Sequence, residues 1–219
     1  MRHRGSHPIH ALVLLLAALL CACGGGKATS TPTAPTPAPT PVQLPTLDVL
    51  LSEKVLGSAA AKAMMIEYSS LTCPHCASFH ATTLPQIKAA YIDPGKVQLV
   101  YRDFPLDNNA LSASMVARCS GDRFFTVIDL LYRNQSTWAG STTIASALKS
   151  VVAQAGLSAA EVDACLAMTD LRNGVTNARS AWQAQHGVNA TPTFVIGSQT
   201  VVGAYPFETF DAILASLVQ

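Results

Sequence analysis

Large apolar side chains fall along this chain in three regimes: continuous from Ala11 to Leu20, sparse from Gly24 to Pro45, and periodic from Thr46 to the end. In the periodic region Met64-Met-Ile-Glu-Tyr-Ser-Ser70 reads as a buried strand, and Cys73 to Tyr91 then shows the helical spacing of Cys76, Phe79, His80 and Ile87. Pro85 predicts a kink within that helix. Val97–Arg102 reads as a second strand after the Asp93-Pro-Gly95 turn, and the β-α-β order predicts a parallel pair.

Between Asp107 and Gly187 no strand pattern occurs. Helices are predicted over 107–120, 122–136, 141–155, 158–168 and 170–186, punctuated by Gly121, Gly140 and Gly156. Thr193–Ile196 and Gln199–Val202 flank Gly197-Ser198 as a hairpin. A last helix starts near Pro206 and presents Phe207, Phe210, Ile213, Leu214 and Leu217 on one face. The result is an α/β fold interrupted by a helical block.

The first two regimes carry no fold. Arg2 and Arg4 before the ten-residue apolar run make residues 1–22 a signal peptide rather than a span, which needs ~20 apolar residues. Leu20-Cys21-Ala22-Cys23 resembles a lipobox, with Cys23 as the lipidated residue. Ordinary cleavage before an unmodified Cys23 is the alternative. Residues 23–45, with six of the 13 prolines between Pro32 and Pro45, form a semi-stiff tether.

Charge narrows the function classes. With Arg2, Arg4 and Lys27 outside the folded part, 11 basic against 13 acidic side chains leave it at −2. No basic stripe is present for a nucleic acid. Charged residues are 12% and hydrophobic ones 49%, the balance of a chain with a core.

Cys73-Pro-His-Cys76 stands at a predicted strand-to-helix junction, where a helix N-terminus stabilises the thiolate of the first cysteine. His75 can add charge or a hydrogen bond to the same sulfur. Half a zinc site is the competing reading. It lacks a second half, because Cys119 and Cys165 lie far along the chain and His3, His7 and His10 belong to the leader. The expectation is therefore redox chemistry with no metal and no cofactor.

Glu67 through Cys76, the later Thr191-Pro192-Thr-Phe, and the helical block between them together resemble the DsbA-like family of thiol-disulfide oxidoreductases. The resemblance implies a thioredoxin-like fold with an inserted α-helical domain: the thioredoxin-like unit opens over 46–106, the insertion occupies 107–187, and the unit is completed over 188–219. It makes Cys73 the exposed nucleophile and Cys76 the buried resolving partner. Glu67 becomes a buried acid that moves protons to and from Cys76, and Thr191-Pro192 the cis-proline loop that pairs with a substrate peptide. The implied activity is donation of disulfides to unfolded or reduced exported proteins. A DsbB-like, quinone-linked membrane partner would reoxidise the enzyme at the bacterial envelope, where the lipid on Cys23 anchors it. An isomerase or reductase, and a non-catalytic chaperone or binding module, are the alternatives.

Of the other candidates, His80 reads as a packing histidine and His186 as a helix C-terminal charge. Cys119 and Cys165, the remaining cysteines of the domain, are expected to form a structural disulfide, as exported proteins tend to pair their thiols. Two separately buried free cysteines are the alternative.

Overall fold

The computed structural model describes residues 42–219, so the leader, most of the tether and the lipidation candidate Cys23 lie outside the described residues. Strands β1 (Lys54–Leu56), β2 (Ala63–Ser69), β3 (Val97–Asp103), β4 (Thr193–Ile196) and β5 (Gln199–Val202) form one sheet in the order β1-β3-β2-β4-β5. β2 and β3 are parallel, with Glu67 opposite Tyr101 and Ser69 opposite Asp103. β4 is antiparallel to β2 and places Phe194 opposite Glu67. β1, antiparallel to β3 at one edge, is an addition to the sequence reading. Three residues are too few to show an alternation, and pairing with a longer neighbour is what makes this segment a strand.

Strand parity puts Met65, Glu67, Ser69, Leu99, Tyr101, Phe194 and Ile196 on one face. Phe79, Ile87, Phe210 and Leu214 pack in the same core cluster and are wholly buried. Each such side chain contributes ~1.5–3 kcal/mol on burial. An acid on this face must therefore find a partner of its own.

Helix α1 (Leu47–Leu51) precedes β1. After β2 the chain is helical from Pro74 to Ile92, built from α2 (Pro74–Ser78), a π-helical turn (Phe79–Thr83), α3 (Leu84–Ile87) and a second π-helical turn (Lys88–Ile92). Pro85 has no N–H to give to Ala81, four residues back. Where the sequence predicts a kink, the helix widens instead, and the Leu84 N–H reaches Phe79 O.

The stretch between β3 and β4 holds α4 (Asn108–Cys119), α5 (Phe124–Arg133), α6 (Gln135–Trp138), α7 (Ile144–Val152), α8 (Ala159–Leu166) and α9 (Thr169–His186), and α10 (Phe207–Leu217) closes the chain. α9 stops at Gly187, whose φ of +64° is open to glycine at little cost. Val127, Leu131, Trp138, Leu148 and Val162 pack in one cluster with Leu71, Cys76 and Tyr101. The helical block and the sheet thus share a core, and the redox motif sits in it. Cys119 on α4 and Cys165 on α8 are joined by a disulfide. Among the described residues, no helix is long and apolar enough to cross a membrane.

The start of α8 yields a test of local energetics. Ser158 Oγ accepts from the Glu161 N–H at 3.2 Å, and the Ser158 N–H donates to Glu161 Oε2 at 2.6 Å. Ser158→Ala is expected to cost about 1 kcal/mol. In urea unfolding of the oxidised protein, the midpoint should fall with an unchanged slope.

Candidate active site

The turn after β2 delivers Cys73 to the N-cap of α2, and Pro74 follows at the first helical position, where an N–H would have no partner. Two side chains from the helical block hold this turn. Gln135 Nε2 donates to Leu71 O at 2.8 Å and to Cys73 O at 3.0 Å. Thr72 Oγ1 donates to Asp107 Oδ2 at 2.6 Å, while Asp107 Oδ1 caps α4 through the Ala110 N–H.

Cys73 and Cys76 are free thiols. Cys76 is fully buried, and Cys73 is only 6% exposed, so the first cysteine is the more accessible of the two without being openly exposed. Cys73 Sγ lies 3.3 Å from Thr191 O, and the Thr191–Pro192 peptide bond is cis.

The two sulfurs differ in charge. The Cys76 thiol donates to the Cys73 sulfur and, with the Thr191 hydroxyl and the N–H groups of Cys76 and His75, holds Cys73 down to about 5 against the opposing effect of burial. The Thr191 hydroxyl is buried and makes no hydrogen bond among the described residues, so it acts on the sulfur as a nearby dipole. Burial, more than the Cys73 sulfur beside it, pushes the Cys76 thiol far above its ordinary range, and a hydrogen bond from Ser69 offsets this only in part. Cys73 is poised as a thiolate and Cys76 as a thiol. The His75 ring is exposed and makes no hydrogen bond among the described residues, so what residue 75 gives the sulfur is its backbone N–H.

Beneath the motif lies a polar network inside the shared core. Glu67 is 0% exposed and both of its carboxylate oxygens face His80 Nε2, at 2.9 and 3.1 Å. Tyr132 Oη lies 2.8 Å from Ser69 Oγ and 3.0 Å from Tyr101 Oη, and the Tyr132 ring lies over His80 with centroids 4.3 Å apart. Burial in the first place keeps both phenols protonated. Among the described residues, no three His, Cys, Asp or Glu side chains gather as metal ligands would.

Cys73, Cys76, Thr191 and Pro192 therefore meet at one point, with Glu67 below them. Cys119 and Cys165 belong to a separate cluster with Met115 and Leu171, and His186 stacks on Trp182. Sequence reasoning missed three contributors: Gln135, Asp107 and the pairing of His80. The last had a signal, because His80 is four residues beyond Cys76, on the same helical face, and a buried acid calls for a partner there.

The chain is similar to known proteins in sequence and in fold. A family model described as thioredoxin matches residues 51–216. A Rickettsia bellii protein provisionally named a protein-disulfide oxidoreductase is 32% identical over 152 residues, which is 68% of this chain and 59% of that protein. The crystal structure of Wolbachia pipientis alpha-DsbA1 is similar with a TM-score of 0.70 and 28% identity, covering 76% of this chain and 90% of its own. That of a protein-disulfide isomerase from Novosphingobium aromaticivorans is similar with a TM-score of 0.68 and 27% identity, covering 76% and 98%.

Proposed function

We propose, from the premise that the chain belongs to the DsbA-like, thioredoxin-fold family of disulfide oxidoreductases, that it donates disulfides to reduced proteins exported to the bacterial envelope. The observation that carries the reading is the unequal poise of Cys73 and Cys76. Whatever stabilises the Cys73 thiolate stabilises the reduced enzyme and makes its disulfide easier to give away.

In this scheme a substrate thiolate attacks Cys73 of the Cys73–Cys76 disulfide. A substrate–Cys73 bond forms, the Cys73–Cys76 bond breaks, and Cys76 leaves as a thiolate that takes up a proton. A second substrate thiolate attacks the substrate sulfur, the substrate gains its disulfide, and Cys73 departs as the stabilised thiolate. The substrate loses two electrons and the enzyme gains them. Thr191 and Pro192 face the reacting sulfur and supply the backbone that an extended peptide would pair with. The chemistry calls for no metal or organic cofactor. Reoxidation falls to a quinone-linked membrane partner of the DsbB kind, and acylation of Cys23 would keep the domain near that partner on its 23–45 tether.

Isomerisation is the second reading. The name of the similar Novosphingobium protein favours it. Equilibration with glutathione tests the donor reading. An oxidase should show a potential nearer the ~−120 mV of DsbA than the ~−270 mV of thioredoxin. A value at or below that of thioredoxin would overturn the donor reading.

A further inference from the structure

Glu67 is sealed. With no exposure of its own, it has one hydrogen-bonding side chain among the described residues, His80. His80 spends Nε2 on the carboxylate, and its Nδ1 has no protein hydrogen bond and is not among the buried atoms lacking a partner. The same residue lines two adjoining clefts, one of about 340 Å³ between Leu84, Pro85, Phe125 and Asp129, the other of about 210 Å³ beside Ala77 and Tyr132. One ring therefore touches the buried acid with one nitrogen and a solvent-filled surface with the other side.

We infer that His80 is the proton port of the active site: it relays protons between water in the Pro85–Asp129 cleft and Glu67, which exchanges them with the sulfur of Cys76. This deepens the oxidoreductase reading and rests on it. When substrate displaces Cys76, water protonates His80 Nδ1, the Nε2 proton passes to the Glu67 carboxylate, and the Glu67 acid protonates the Cys76 thiolate. On reoxidation each transfer runs backward: Cys76 gives its proton to Glu67, Glu67 to Nε2, and Nδ1 to water. The ring returns to its first tautomer without a flip, so its close contact with Tyr132 is no obstacle.

The neighbouring groups leave this role to His80. On its own helical run Lys88 is paired with Asp93, and on α5 Arg133 is paired with Asp129. Tyr101 on β3 and Tyr132 on α5 hold their protons tightly. Histidine is the side chain that ordinarily gains and loses a proton between pH 5 and 8. Its effect reaches the sulfurs only through Glu67, which makes it a positioning residue.

The test is stopped-flow oxidation of the reduced protein by oxidised glutathione. In the first step the Cys73 thiolate forms a mixed disulfide and releases one glutathione. In the second, Cys76 loses its proton, attacks Cys73 and expels the other. His80→Gln keeps an N–H toward Glu67 but has no second nitrogen to relay. The second step should slow about 10- to 100-fold at pH 7, recover as the pH is raised and respond to added imidazole, while the first step stays within about twofold. An unchanged second step, or equal loss in both steps, would overturn the relay. For the unmodified protein the second step should show a solvent deuterium isotope effect, and its absence would also overturn it. Failure of the unmodified protein to react with oxidised glutathione at all would instead strike the oxidoreductase reading.

Discussion

Cys73→Ser is expected to lower disulfide exchange by roughly 10³-fold or more, because it removes the reacting nucleophile itself. Cys76→Ser should behave differently, accumulating a mixed disulfide on Cys73 that can be trapped and identified by mass. The pH profile gives the same prediction a sharper form. With Cys73 held down to about 5, its alkylation rate should have a midpoint near that pH and be flat above about pH 6, where an ordinary thiol near ~8.5 would still gain tenfold per pH unit. The depressed value also sets the sign of the stability change. A folded-state value below the unfolded one makes reduced-state stability present in full above the unfolded thiol range and lost as the pH falls through the folded value. At pH 7 two units at ~1.36 kcal/mol give about 3 kcal/mol, most of it gone by pH 5. The oxidised protein has no thiolate and no such gain. A Cys73→Ser protein that still exchanges disulfides, or an alkylation rate that keeps climbing through pH 8, would sink the assignment.

The legible parts of this fold were those written in local periods. Met64–Ser70 and Val97–Arg102 differ from β2 and β3 by no more than one residue at either end, because a seven-residue buried strand shows its pattern within itself. The same holds for the hairpin at Gly197-Ser198. Cys-x-x-Cys before a helix is likewise local, since the Cys76 thiol, the largest influence that lowers the first thiol, and the backbone N–H groups that add to it come from the next turn of the same chain. What escaped depends on distant partners. Lys54–Leu56 is a strand only beside β3. Gln135 reads as an ordinary polar residue until the helical block folds back and sets its amide against Leu71 O and Cys73 O, more than 60 positions away. The burial of Glu67 was implied only by the resemblance, since Ile66 and Tyr68 flank it on the opposite face of the strand. The register with Tyr101 and Phe194 settles that, and His80 supplies the partner that burial demands.

Arg118→Ala is expected to be the most damaging substitution outside the redox motif, at about 3–5 kcal/mol. Arg118 is buried near the end of α4 and reaches three ways: Nε donates to Asp103 Oδ2 at 2.7 Å, and Nη1 donates to Leu50 O at 2.7 Å and Ser52 O at 3.1 Å. One side chain thus ties the helical block to the end of β3 and to the exit of α1, a few residues before β1 begins. Asp103 is 3% exposed and its other oxygen has no partner among the described residues. Truncating Arg118 therefore leaves a buried carboxylate with nothing opposite it, alongside two carbonyls that lose a donor. The pair as a whole has a smaller net value than this loss, because desolvating two charges offsets most of their attraction. Replacing both partners, as in Asp103→Leu with Arg118→Met, should then recover much of the stability that Arg118→Ala removes. Urea unfolding of the three proteins checks each step. A deficit below about 1 kcal/mol, or a double variant no better than the single one, would show that Arg118 contributes through packing and not through the charge it covers.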